Sequence, residues 1–156
     1  MTILMEIAGI TGESTTANHD GWIPLTSFQW SGRRAVRTHT GGSHSRSTIH
    51  STAQLNDIVV TRETDSTSAL IWDAMMRGRP ARVKFHWLRA GPGGEPTAYL
   101  EAQFENAIIV SIETDASGGR PAETLTITYE ALEFRVINVG DSLSGAQDVV
   151  GYRLGA

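Results

Sequence analysis

The 156-residue sequence contains no cysteine. That removes thiol nucleophiles, thiolate zinc sites and disulfides at once. A chain of this length buries roughly 70% of its unfolded surface, so it needs no covalent or metal staple. Lysine is nearly absent too, with Lys84 the only one. The cations are otherwise arginines, which suit bidentate pairing at interfaces. No segment supplies the ~20 consecutive apolar residues of a membrane-spanning helix. The opening MTILMEIAGITGES has no basic stretch, and Glu6 interrupts its apolar run. It does not read as a secretory signal, so the chain is expected to leave the cytoplasm, if at all, by a route that cleaves none.

Acids are missing from one stretch and crowded in another. Gly21 to Asn56 holds no Asp or Glu but has Arg33, Arg34, Arg37 and Arg46. Tyr99 to Glu133 holds seven acids, among them Glu101, Glu105, Glu113 and Asp115, against the single base Arg120. With a net charge of −4, nucleic-acid binding is disfavoured. Two solvated faces would explain the split. So would a head-to-tail contact in which the basic part of one copy meets the acidic part of the next.

The centre of the sequence is Asp57–Gly78, DIVVTRETDSTSALIWDAMMRG. Ile58-Val59-Val60 has strand composition. Thr64 to Thr67 are residue types that cap helices, with Asp65 and Ser66 the candidate caps. Leu70, Ile71, Ala74 and Met75 then form one helical stripe, so a helix is expected over 65–77. Gly78 stops it and Pro80 forbids continuation.

The remainder reads as strand and loop. Ile3–Ile7 is a short strand. Trp22–Trp30 is another, in which Pro24 implies an edge or bulge and Phe28 and Trp30 oppose Ser27 and Gln29. Val83, Phe85 and Trp87 share a face. The long strand Thr97–Thr114 places Leu100, Ala102, Phe104, Ile108, Val110 and Ile112 on one phase. Glu123–Ile137 changes phase, which predicts a bulge near Glu130-Ala131.

Ser31 to Gln54 is unusual: 24 residues without Leu, Met, Phe, Tyr or Trp. It reads as a long extended loop, 31–54, unable to order itself by burial. The tail, 140–156, reads as weakly structured. About six strands and one helix predict a mainly β domain over 1–156, a barrel or sandwich of two sheets with one flanking α-helix.

Few constellations suggest chemistry. His39, His44 and His50 are spaced by five and six in the loop, which matches no rigid metal-ligand motif. No Gly-x-Ser-x-Gly elbow is present. Gly9-Ile10-Thr11-Gly12-Glu13-Ser14 lacks the lysine and spacing of a phosphate loop. Neither catalytic residues nor a metal or other cofactor are expected. Trp22, Trp30, Trp72 and Trp87 would suit a ligand-binding β-barrel, but single tryptophans at packed phases are ordinarily core.

Three stretches together resemble one family. Gly9 to Ser14, His19 and the strand Trp22–Trp30 are similar to its G-x-x-GES, histidine and aromatic-ended strand. Thr61, Arg62, Asp65, Ser66, Ser68 and Gly78 match its strand-to-helix unit. The paired strands Thr97–Thr114 and Glu123–Ile137, with a Gly-rich turn between, complete the likeness. The chain resembles Hcp, the haemolysin co-regulated protein of type VI secretion. It departs at Ala146-Gln147-Asp148, where the family has Gly-Trp-Asp or Gly-Trp-Asn, and at Ser66-Thr67-Ser68, where many members have Ser-Thr-Pro.

The resemblance implies a two-sheet barrel forming homo-hexameric rings that stack into a hollow tube. A spike protein caps the tube, and a contractile sheath surrounds and expels it into the medium or a target cell. Small effectors would travel in the lumen, with no membrane insertion and no nucleic acid. The tail tube of contractile phages or of extracellular injection systems is the alternative of the same fold. On this reading Ser27 and Gln29 are lumen-face candidates. Arg33, Arg34, Arg37, His39, His44, Arg46 and His50 would contact the next subunit or ring. Glu101, Glu105, Glu113 and Asp115 would form the acidic receiving surface.

Overall fold

The computed structural model describes residues 2–39, 48–137 and 147–153. Among these, eleven strands and one α-helix follow in chain order. They are β1 (Thr2–Ile7), β2 (Ile23–Leu25), β3 (Ser27–Gln29), β4 (Gly32–His39), β5 (Thr48–Leu55), β6 (Ile58–Glu63), α1 (Ser68–Arg77), β7 (Ala81–Ala90), β8 (Pro96–Asp115), β9 (Ala122–Thr128), β10 (Ala131–Ile137) and β11 (Gln147–Arg153). The mainly β, two-sheet class with one helix is therefore as the sequence implies.

The main sheet runs β2-β1-β7-β8-β9-β6-β3, with β10 also on β8 and β11 on β10. The 20-residue β8 serves two layers. Its first half lies between β7 and β10, and its second half pairs with β9. The two layers face each other, since Phe28 of β3 stacks edge-on against Phe85 and Trp87 of β7, at 4.8 Å from each. Met5, Ile58, Val60, Phe85, Phe104, Leu125 and Ile127 fill the space between, each sealed from solvent.

The turn from one layer to the next is made at Asn106, in the left-handed region with φ 48°. Asparagine tolerates that conformation better than most residues. The Asn106 side chain donates to Glu130 Oε2 at 2.8 Å, and Glu130 N–H donates to Glu105 O at 3.1 Å. Both strands thus change phase together. Ala102 and Phe104 point inward before the corner, Ala107 and Ile109 after it. The single phase expected for Thr97–Thr114 fails for this reason, and Val110 is left 48% exposed. The flip foreseen near Glu130-Ala131 is the partner of the one at Asn106.

Two further readings need correction. The segment 31–54 is not structureless throughout: β4 and β5 pair with each other from Gly32↔Leu55 to His39↔Thr48 and form a two-stranded sheet of their own. Backbone pairing alone builds this ribbon, so it needs no apolar face and leaves no hydrophobic pattern in the sequence. The tail contributes β11, which pairs with β10 from Ala131↔Arg153 to Ile137↔Gln147.

The helix begins at Ser68, three residues later than expected, and ends at Gly78 with φ 61°. Ile71 is buried, and Ala74 and Met75 pack on the core. Leu70, assigned to the same stripe, is 50% exposed. On its other side, β1 turns Leu4 toward Trp22 and Leu88, a small second cluster roofed by the loop before β2.

Candidate functional site

The Gly12-Glu13-Ser14 motif forms a structural knot. A Cβ on Gly12 would lie 2.4 Å from Trp22 O, so only glycine lets the loop pass there. Glu13 Oε1 accepts from Ser66 N–H at 3.2 Å and also from the Ser66 hydroxyl. Thr67 Oγ1 donates to Thr11 O at 3.3 Å. Loop and helix entry are thereby sewn together.

Beneath the knot lies a buried ion pair. Arg62 Nη1 donates to Glu123 Oε2 at 2.6 Å and to Ser68 Oγ at 3.2 Å, and Arg62 Nη2 pairs with Asp65 Oδ1. Asp65 Oδ1 also accepts from Thr67 N–H at 2.8 Å. Neither Asp65 nor Ser66 caps α1. The cap residue is Thr67, and its side chain makes no capping bond. Asp65 instead shapes the turn before the helix and neutralises Arg62. The Arg62–Glu123 pair escaped the sequence reading because its partners are 61 positions apart.

The four acids proposed as a receiving surface divide into two pairs. Glu105 accepts from Arg82 Nε at 3.0 Å. Glu101 lies 3.7 Å from His86 Nε2 and 3.8 Å from Arg135 Nη1. Arg135 also reaches Glu133 at 3.1 Å, and Lys84 lies 3.6 Å from Glu6. This sheet face is a lattice of alternating charges satisfied within the chain. Glu113 and Asp115, at the far end of β8, are exposed and make no ion pair among the described residues.

A cleft of about 260 Å³ opens on the lattice, lined by Lys84, His86, Glu101, Gln103, Glu133 and Arg135. At its floor His86 Nδ1 meets His19 Nε2 at 2.8 Å, and both rings pack on Trp22. The His86 pKa is lowered to about 4, chiefly by burial, then by neighbouring His19 and Lys84. Sequence reasoning paired neither histidine, since His86 sits on the wet phase of β7. Among the described residues no three His, Asp or Glu side chains gather as a metal site requires.

On β3, Ser27 and Gln29 are exposed while Phe28 packs inward. On the ribbon, Arg33 Nε donates to Gln54 Oε1 at 3.0 Å, and Arg33, Arg34 and Val36 are exposed. Arg37 is in register with His50, and His39 with Thr48. His44 and Arg46 lie outside the described residues.

Trp30 and Trp87 serve the core. Trp30 Nε1 donates to Tyr129 OH at 2.7 Å, and that hydroxyl donates to Asn56 O at 2.9 Å. Burial raises the Tyr129 pKa against the opposing effect of Trp30.

The family model for the type VI secretion system effector Hcp matches residues 4–136. The chain belongs to the Hcp family. No curated protein matches it. Solved structures share the Hcp fold at low identity. A type VI secretion system effector from Yersinia pestis is 21% identical with TM-score 0.74, covering 97% of this chain and 99% of its own. Hcp2 from Salmonella typhimurium is 17% identical with TM-score 0.74, covering 100% and 98%. A structure described as a type six secretion system protein is 19% identical with TM-score 0.82, covering 98% and 95%. This Hcp chain contains no helix, among its described residues, long and apolar enough to cross a membrane.

Proposed function

We propose that this Hcp chain is a structural subunit of the type VI inner tube rather than an enzyme. Its copies form hexameric rings that stack into a hollow conduit. The tube carries a spike protein at its tip, is expelled by a surrounding sheath, and transports small effectors in its lumen. The family match over residues 4–136 carries this reading.

The ribbon gives it a physical basis. It is a sheet of its own, attached to the rest of the fold through Ser31 and Asn56, which are hydrogen-bonded at 2.7 Å by their side chains. It presents Arg33 and Val36 to solvent, while Glu113 and Asp115 present unpaired acid elsewhere. We assign the ribbon to contact with a neighbouring copy. Of the acidic candidates, Glu113 and Asp115 are the better receivers, because Glu101 and Glu105 are already paired. Ser27 and Gln29 remain the lumen-face assignment, being small or uncharged and exposed beside the core.

Light scattering on purified protein, with negative-stain imaging, tests the reading. Hexamer-sized rings are expected. A strict monomer at every concentration up to millimolar would overturn it.

A further inference from the structure

His19 sits in the loop before β2 and is 7% exposed. Its Nδ1 lies 3.2 Å from Ala17 O. A carbonyl oxygen only accepts, so Nδ1 carries the hydrogen and, in the neutral ring, Nε2 is the acceptor. His86 Nδ1, 2.8 Å away, must then donate to it. That leaves the lone pair of His86 Nε2 facing the Glu101 carboxylate at 3.7 Å, two electron-rich groups with no hydrogen between them.

One proton resolves the mismatch. Placed on His19 Nε2, it donates to His86 Nδ1. His86 then carries its own hydrogen on Nε2, directed at Glu101. Every ring nitrogen has a suitable role, and the chain runs from Ala17 O through both rings to the carboxylate. A second proton has no such place. With both rings cationic, two N–H groups oppose each other at the 2.8 Å contact, and the bond breaks.

We propose that His19, His86 and Glu101 form a proton-operated latch that fastens the loop before β2 to β7, strengthened by one shared proton and released by a second. Among the side-chain hydrogen bonds of this loop, His19–His86 is the tie to β7; Glu13 and Thr11 tie it to the helix entry instead. The charged groups lining the cleft beside the pair are Lys84 on β7, which Glu6 on β1 holds, and Glu133 and Arg135 on β10; Asp20 follows His19 in the loop. Lys84 opposes the second proton. Arg135 competes with the histidines for Glu101. The His86 ring resists protonation down to about pH 4, as the second step requires.

The loop's own backbone supplies a readout. Ser14 N–H donates to Trp22 O and Gly21 N–H to Ser14 O, both at 2.9 Å. Amide exchange and histidine ring resonances should be followed on the full chain from about pH 8 to pH 3.5. The two rings are expected to titrate as a coupled pair, with one proton bound well before the second. Protection at Ser14 and Gly21 should fall at least tenfold more than at β9 amides as the second proton binds. Glu101→Gln should lower the pH of the first protonation by about one unit while leaving β9 protection unchanged. Independent titration of the rings, or loop protection that tracks β9 at every pH, would overturn the latch. So would a Glu101→Gln variant with an unchanged first step.

Discussion

Arg62 and Glu123 stand directly opposite each other on β6 and β9 and are joined at 2.6 Å, with side-chain exposures of 0% and 2%. Removing Arg62 seals the Glu123 carboxylate in the fold without its partner, whereas removing Glu123 leaves Arg62 paired with Asp65. Arg62→Met is expected to destabilise by about 3–5 kcal/mol and Glu123→Gln by less, measured by denaturant unfolding. The double variant Arg62→Met, Glu123→Leu should recover part of that loss, since the buried Glu123 charge is gone while Asp65 still lacks its arginine.

Gly12 is expected to tolerate no side chain. The added methyl of Gly12→Ala meets the backbone of Trp22, which cannot rotate aside. A loss of about 1–3 kcal/mol is expected, read as a lower thermal midpoint. Gly119→Ala, where a Cβ meets nothing within 4 Å, is the control and should change stability little.

Acid should weaken the fold through His86. Its pKa is about 4 in the folded chain against an ordinary 6.5. Between those values the unfolded chain binds a proton that the folded chain refuses. The stabilisation is therefore complete above about pH 6.5 and is lost as pH falls toward 4. The effect should be on the order of 2 kcal/mol. His86→Gln should flatten the stability profile over this window; an unchanged profile would assign the acid sensitivity to other groups.

Charge reversal tests the ribbon contact. Glu113→Lys with Asp115→Lys should leave the circular dichroism unchanged and reduce ring stacking seen in negative-stain images. Deletion of Thr38 to Ser51 should do the same. Stacking that survives both changes would remove the ribbon from the interface.

Trp30→Phe keeps the ring that packs near Phe104 and Phe134 but loses the donor to Tyr129. A cost of about 1 kcal/mol is expected from denaturant unfolding.

The strand-rich class was legible because β6, β7 and β9 alternate as half-buried strands must. Val83, Phe85 and Trp87 are buried as their phase implies, and Gly78 ends the helix where its spacing said. The ribbon was not legible, since two strands that pair only with each other are built by backbone bonds and require no alternating apolar pattern. The phase change at Asn106 was hidden by the run Ala107-Ile108-Ile109-Val110, in which every residue is apolar and either register looks plausible. Arg62–Glu123 and His19–His86 join residues 61 and 67 positions apart, so only the folded register brings them together. Asp65 and Ser66 were identifiable as polar joint residues, but their partners, Arg62 and Glu13, lie off the helix.

The main sheet's path begins at β2 and ends at β3, and Thr26 alone separates these two strands. Thr26 N–H donates to Thr61 O at 2.8 Å, carrying the chain from β1 across to β6. Each terminal strand is three residues long, too short to template the addition of a foreign strand. Among the described residues, the longer open edges are then β11, the two sides of the ribbon and the second half of β8, where Ile108 to Asp115 pair with β9 alone. Recruitment of a strand from another molecule is thus confined to those edges. The same arrangement that fixes the core also rations where the molecule can stick to others.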